Sequence, residues 1–131
     1  MTNPKAKVAL IEDDLAIVQM YKTKFESEGY AVQTAGDGLS GLALIEEFEP
    51  DVVLLDLMMP GMTGLEMLQK LRSQAAGRNA KIVVLTNMGD TETATRVYKM
   101  AADDYMVKAE MTPKQVADRV AKLLATPKAA S

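Results

Sequence analysis

The sequence predicts an α/β domain, a doubly wound parallel sheet held between two helical layers, on three observations. Short β-branched and aliphatic runs alternate five times with stretches whose apolar residues recur at helical spacing. The runs Val52 to Leu55 and Lys81 to Leu85 are uniformly apolar apart from one opening lysine, which suits strands covered on both faces. Helical segments separate successive strands, as parallel pairing requires, because a right-handed crossover must return the chain to the same end of the sheet.

The first strand is read at Lys7 to Ile11 and stops at Glu12-Asp13-Asp14; Ile17, Met20, Tyr21 and Phe25 then mark one face of a helix. Gly29 stops that helix, Tyr30 to Thr34 form the second strand, and Leu39, Leu42, Ala43, Ile45 and Phe48 mark a second helix ending before Pro50. Val52 to Leu55 form the third strand, Met58-Met59-Pro60-Gly61 a loop, and Leu65, Met67, Leu68 and Leu71 the third helix. Ala76 to Asn79 read as a loop, Lys81 to Leu85 as the fourth strand, and Thr91 to Ala102 as the fourth helix with Asp90 as its N-cap. Tyr105 to Lys108 close the sheet as the fifth strand. Thr112-Pro113 opens the last helix, with Val116, Val120, Leu123 and Leu124 facing inward.

At 131 residues the chain suits one domain, able to bury about two-thirds of the surface it would expose unfolded. The five units leave no sequence for a second, so a single domain over 1–131 is expected, with a core of 5–125 and a flexible tail at 126–131. Cysteine is absent, which excludes disulfides and thiolate metal sites; the apolar stretch near the amino terminus is too short for a signal peptide or a membrane span. A cytoplasmic location is expected. The net charge of -3, from 15 basic and 18 acidic residues, gives no reason to expect direct contact with nucleic acid or an anionic membrane. Histidine is also absent, which removes Ser-His catalysis, imidazole metal ligands and a phosphohistidine role for this chain.

In open parallel sheets, ligand-binding groups collect beyond the carboxyl ends of the strands. Glu12, Asp13 and Asp14 follow the first strand, Asp56 the third and Thr86 the fourth, while Lys108 ends the fifth. Converging carboxylates repel, so one stays protonated or a cation holds them together. Without His or Cys that cation is hard: magnesium, with manganese as a substitute. Singly, each residue has a plainer reading: Asp13 or Asp14 as a helix cap, Thr86 as a turn residue, Lys108 as a solvated terminus. Together they supply a metal site beside a cation and a hydroxyl able to bind an anion.

The segments Leu10-Ile11-Glu12-Asp13-Asp14, Pro50 to Gly64, Val84-Leu85-Thr86 and Ala102-Asp103-Asp104-Tyr105-Met106-Val107-Lys108 carry a resemblance to the receiver domain of two-component response regulators, over essentially Lys5 to Leu124. The resemblance implies a flavodoxin-like three-layer (βα)5 sandwich with strand order 2-1-3-4-5. It implies Asp56 as the phosphoryl acceptor, Asp13 as a direct magnesium ligand, Glu12 as a ligand through water, and the Met58 backbone carbonyl completing the set. Lys108 and Thr86 would meet phosphoryl oxygens, and Tyr105 would turn inward as Thr86 moves, switching the surface of the fourth helix, fifth strand and fifth helix. The donor would be a sensor histidine kinase or a histidine phosphotransfer domain and the target an unknown downstream protein. The chain would act as a monomer in phosphorelay signal transduction, with dimerisation through that surface on activation left open. It would catalyse only its own phosphorylation and dephosphorylation and would not be a turnover enzyme.

This chain departs from that pattern in places. Ala109 stands where receivers usually have proline after the lysine; a cis bond before a non-proline residue costs roughly 2.5–4 kcal/mol, so a trans Lys108–Ala109 peptide is expected. Asn87 replaces a small residue, which would narrow access to the site. Met58 and Met88, two residues beyond Asp56 and Thr86, cannot orient a hydrolytic water, so a long-lived phosphoryl group is expected. The ten methionines otherwise read as core filler, and Thr63 before Gly64 replaces a frequent acid. Three alternatives are weighed: a haloacid dehalogenase type phosphatase, which needs an acid where Met58 stands; a flavin module, whose phosphate loop the acids would repel; and an unphosphorylated scaffold.

Overall fold

The computed structural model describes residues 4–59, 61–87, 91–100 and 102–126. Strands β1 (Lys7–Ile11), β2 (Ala31–Ala35), β3 (Val52–Leu55), β4 (Lys81–Thr86) and β5 (Asp104–Val107) form one parallel sheet in the order β2-β1-β3-β4-β5. Helices α1 (Leu15–Ser27), α2 (Gly38–Phe48), α3 (Gly64–Ser73), α4 (Thr91–Lys99) and α5 (Pro113–Ala125) connect the strands and close the chain. Strand order reverses at β1: the chain crosses from β1 outward to β2, then back to β3 on the other side. A crevice therefore opens beyond the carboxyl ends of β1 and β3.

Period-two alternation divides the core into two layers. Ala9, Ile11, Val53, Leu55, Ile82 and Val84 face one side with Ile45 of α2, Met67, Leu68 and Leu71 of α3 and Val97 of α4. Val8, Leu10, Leu54, Val83, Leu85 and Met106 face the other with Val18, Tyr21 and Phe25 of α1 and Val116 and Val120 of α5. The continuous apolar strands are thus explained: each alternate residue belongs to a different core.

Several boundaries differ from the sequence reading. Ala75–Asn79 is a short helix rather than a loop. Its Gly77 lies so close to α3 that a Cβ there would stand 2.1 Å from the Leu71 carbonyl oxygen, so the glycine reflects packing and not a turn. Tyr30 precedes β2 instead of opening it, buried edge-to-face on Phe25 at 5.4 Å between ring centroids. The fourth helix ends at Lys99, short of Ala102, while Asp90, its expected cap, and Met88 lie outside the described residues. Strand β5 runs one residue earlier than expected, so Lys108 opens a 3-10 turn (Lys108–Glu110) instead of ending the strand. Leu39 and Met20, read as helix-face residues, are exposed. Of the expected tail, Thr126 is described and caps α5, and 127–131 lie outside the described residues.

Candidate functional site

Each acid of the crevice is fixed by a local backbone reason. The Glu12 amide donates to the Ala35 carbonyl at 3.0 Å, which extends β1 pairing by one step and buries the side chain. Asp13, next in line, is exposed. Asp14 caps α1: its carboxylate accepts from the amides of Ala16 and Ile17 at 3.0 and 3.2 Å, so the capping reading holds for Asp14 and leaves Asp13 free of that duty. Asp56 follows β3, with its amide bonded to the Ile11 carbonyl at 3.0 Å and its Oδ1 accepting from the Met58 amide at 3.1 Å. Its side chain is buried, 5 % exposed, whereas the Met58 side chain is exposed.

Carboxylate oxygens of Glu12, Asp13 and Asp56 lie within 4.8 Å of one another. The Lys108 ammonium reaches across from the 3-10 turn to Glu12 and stands 3.3 Å from Asp56 Oδ2. Among the described residues no peptide is cis, so Lys108–Ala109 is trans, and the trans turn still delivers the ammonium to the crevice. Thr86 ends β4 fully buried, with exposed Asn87 after it. Tyr105 on β5 packs half-buried against the core layer that contains α2, α3 and α4, with its hydroxyl oxygen buried. A cavity of about 330 Å³ opens beside Lys108, walled by Tyr21, Asn87, Ala109 and Pro113 among others.

The charges do not balance. Three carboxylates face one ammonium, and the two buried ones, with oxygens within 4.8 Å, repel by roughly 3.5 kcal/mol or more at an effective dielectric near 20. Burial pushes the Glu12 carboxyl up to about 7, against the Lys108 and Asp14 hydrogen bonds that lower it and together with the Asp56 charge. Burial alone would lower the Lys108 ammonium, but its Glu12 hydrogen bond and the charges of Asp56 and Glu12 hold it above the ordinary lysine value. These side chains therefore carry an excess of negative charge that a second cation would relieve.

The donor set fits a hard divalent ion. It consists of carboxylate oxygens, in a chain with no His or Cys. An octahedral ion with ligands at about 2.1 Å needs oxygens roughly 3–4 Å apart, which small side-chain shifts from the present spacing supply. The structure thus brings together Glu12, Asp13, Asp56 and Lys108 as expected, and places Thr86 and Tyr105 on the neighbouring strands.

The sequence reading also left residues unassigned. Thr63 caps α3, its hydroxyl accepting from the Glu66 amide while the Glu66 carboxylate accepts from the Thr63 amide, a capping box that Thr63-x-x-Glu66 spelled out. Asp103 and Asp104 bind Arg72 and Arg119, pairings that no local spacing discloses.

Comparison with known proteins bears on this geometry. A family model described as the response regulator receiver domain matches residues 8–121. A probable transcriptional regulator, ycf27, of Guillardia theta is 37% identical over 120 residues, covering 92% of this chain and 46% of that protein. The DNA-binding response regulator MtrA of Mycobacterium bovis is 33% identical over 120 residues, covering 92% of this chain and 51% of that protein. The chain spans about half the length of these curated relatives. A crystal structure of a CheY-like receiver domain protein from Methanospirillum hungatei superposes with a TM-score of 0.85 at 27% identity, covering 95% of each chain.

Proposed function

The chain belongs to the response regulator receiver domain family, and from that premise we propose that it accepts a phosphoryl group on Asp56 from a partner phosphohistidine and relays the change to its α4-β5-α5 surface. One observation carries this reading: a buried Asp56 carboxylate stands at the β1/β3 crevice with Lys108 at 3.3 Å and the Glu12 and Asp13 oxygens within 4.8 Å.

An Asp56 oxygen attacks phosphorus, the phosphorus–nitrogen bond of the donor breaks, and the departing imidazole takes a proton. An acyl phosphate remains. Asp56 needs no general base when ionised, so positioning and charge stabilisation supply the catalysis. Glu12, Asp13, Asp56 and the Met58 carbonyl would hold magnesium, or manganese in its place, which when bound neutralises charge on the transferring group. Lys108 neutralises a further phosphoryl oxygen, and the Thr86 hydroxyl hydrogen-bonds another. Their movement draws Tyr105 inward and changes the α4-β5-α5 face. The exposed Met58 side chain has no group to orient an attacking water, so the acyl phosphate is long-lived. The phosphatase alternative requires an acid at Met58 and is set aside.

The product is a switched state rather than turnover of a substrate. The donor is a sensor histidine kinase or histidine phosphotransfer domain, and the site of action is cytoplasmic; no described helix is long and apolar enough to cross a membrane. A monomeric, stand-alone regulator is the first reading. A second is favoured by relatives of about twice this length that are named as DNA-binding or transcriptional regulators: the same switch then controls a DNA-binding segment, and those names give no support to the expectation that nucleic acid plays no part. Intact mass after incubation with acetyl phosphate and magnesium tests the common core. Wild type gains one phosphoryl group and Asp56→Asn gains none; equal labelling of both would overturn the assignment.

A further inference from the structure

β5 is an edge strand, so the two helical layers can meet only around it on that side of the sheet. Asp104 shares the face of Met106, toward α1 and α5, whereas Tyr105 faces the layer of α2, α3 and α4. The Asp104 carboxylate is buried, 7 % exposed, and accepts from α4, β5 and α5. Arg119 of α5 donates from Nε at 3.0 Å and from Nη2 at 2.5 Å, a bidentate pair. The Tyr98 hydroxyl of α4 reaches it from the opposite layer at 3.5 Å, and the Tyr105 amide of β5 donates at 2.8 Å. Burial, followed by the Asp104 charge, holds the Tyr98 phenol above its ordinary value, as expected for a hydroxyl that stays protonated and donating.

We propose that Tyr98, Asp104 and Arg119 form a belt around the open edge of the sheet that ties α4 to α5 and restrains Tyr105, whose amide the same carboxylate holds. The belt occupies an edge amide that would otherwise be open to a foreign strand. It also couples the two helices to the one residue between them that is read as the switch. That last clause rests on the proposed function; the tie between α4 and α5 does not.

Hydrogen exchange of the full chain, without phosphodonor, tests the tie. Tyr98→Phe keeps the ring and removes one oxygen, and Arg119→Gln loosens the other end. In each variant α4 amides exchange about three- to tenfold faster, the range for losing a hydrogen bond of this kind, while β1 and β3 keep wild-type rates. Wild-type rates in α4 of both variants would overturn the belt. Fluorine NMR of 3-fluorotyrosine protein, with Tyr105 assigned from Tyr105→Phe, tests the restraint. The Tyr105 resonance of unloaded Tyr98→Phe moves toward the position that wild type adopts with magnesium and beryllofluoride. Faster α4 exchange with an unmoved Tyr105 resonance would overturn the restraint. A wild-type Tyr105 that ignores beryllofluoride would count against the switch reading itself, and the exchange rates would still decide the tie.

Discussion

Glu12→Gln should stabilise the metal-free protein at pH 8 while weakening its hold on magnesium. The Glu12 carboxyl is held at about 7 against an ordinary value of 4.5, so its charged form costs the folded state roughly 3 kcal/mol. Replacing it removes that cost but also takes a charged partner from Lys108, which keeps Asp56 at 3.3 Å. The value of about 7 already includes the lowering by Lys108, so the gain at pH 8 is roughly 3 kcal/mol. For a domain of this size that is a rise in Tm of about 10 °C. Because the folded value lies above the unfolded one, the folded protein binds more protons between pH 4.5 and about 7. Wild-type stability in chelator therefore falls as pH rises through that window, and the advantage of the variant, full at pH 8, is smaller by about 2 kcal/mol at pH 5.5. Lys108, raised above the usual lysine value, loses its contribution only in strongly alkaline solution and does not disturb the comparison. Urea unfolding in EDTA at both pH values, repeated with magnesium, reads the effect; magnesium stabilises wild type more than the variant. A variant less stable than wild type at pH 8, or a gap of equal size at both pH values, would refute the account of the acid cluster.

Two further outcomes follow from the loop after β3. A Cβ at Gly64 would stand 2.4 Å from the Leu57 Cα and 2.6 Å from the Asp56 carbonyl oxygen, so Gly64→Ala forces α3 away from the acceptor strand. It should cost about 1–3 kcal/mol in urea unfolding and slow labelling by acetyl phosphate; wild-type values for both would show the contact to be slack. Met58→Asn, at an exposed position, should leave stability within about 0.5 kcal/mol and speed phosphate release. Release no faster than wild type would remove Met58 as the cause of a long phosphoryl lifetime.

The sheet was legible where each strand served two cores: Val52–Leu55 and Ile82–Leu85 are fully apolar because both faces are covered. Strand order was not in the periodicity and came from the family resemblance. Errors arose where tertiary contacts overrode local spelling. Gly77 and Asn79 suggested a loop, yet Arg72 donates to the carbonyls of Gly77 and Ala80 and holds a short helix against α3. Asp104 fell outside the strand read at Tyr105 to Lys108, yet it opens β5, where Arg119 neutralises it. In the site, Glu12, Asp13 and Asp56 were legible because each follows a strand. The Lys108 bond to Glu12 was not, since its partners are 96 residues apart and meet only through the order of the sheet.

Borohydride reduction of the acetyl phosphate-treated protein, followed by peptide sequencing in the mass spectrometer, tests the central claim most directly, because it converts an acyl-phosphorylated aspartate to homoserine. The account predicts homoserine at position 56 alone, dependent on magnesium and absent after chelation. Label at Asp13 or Asp14 instead, or homoserine at 56 that forms equally well in EDTA, would contradict it.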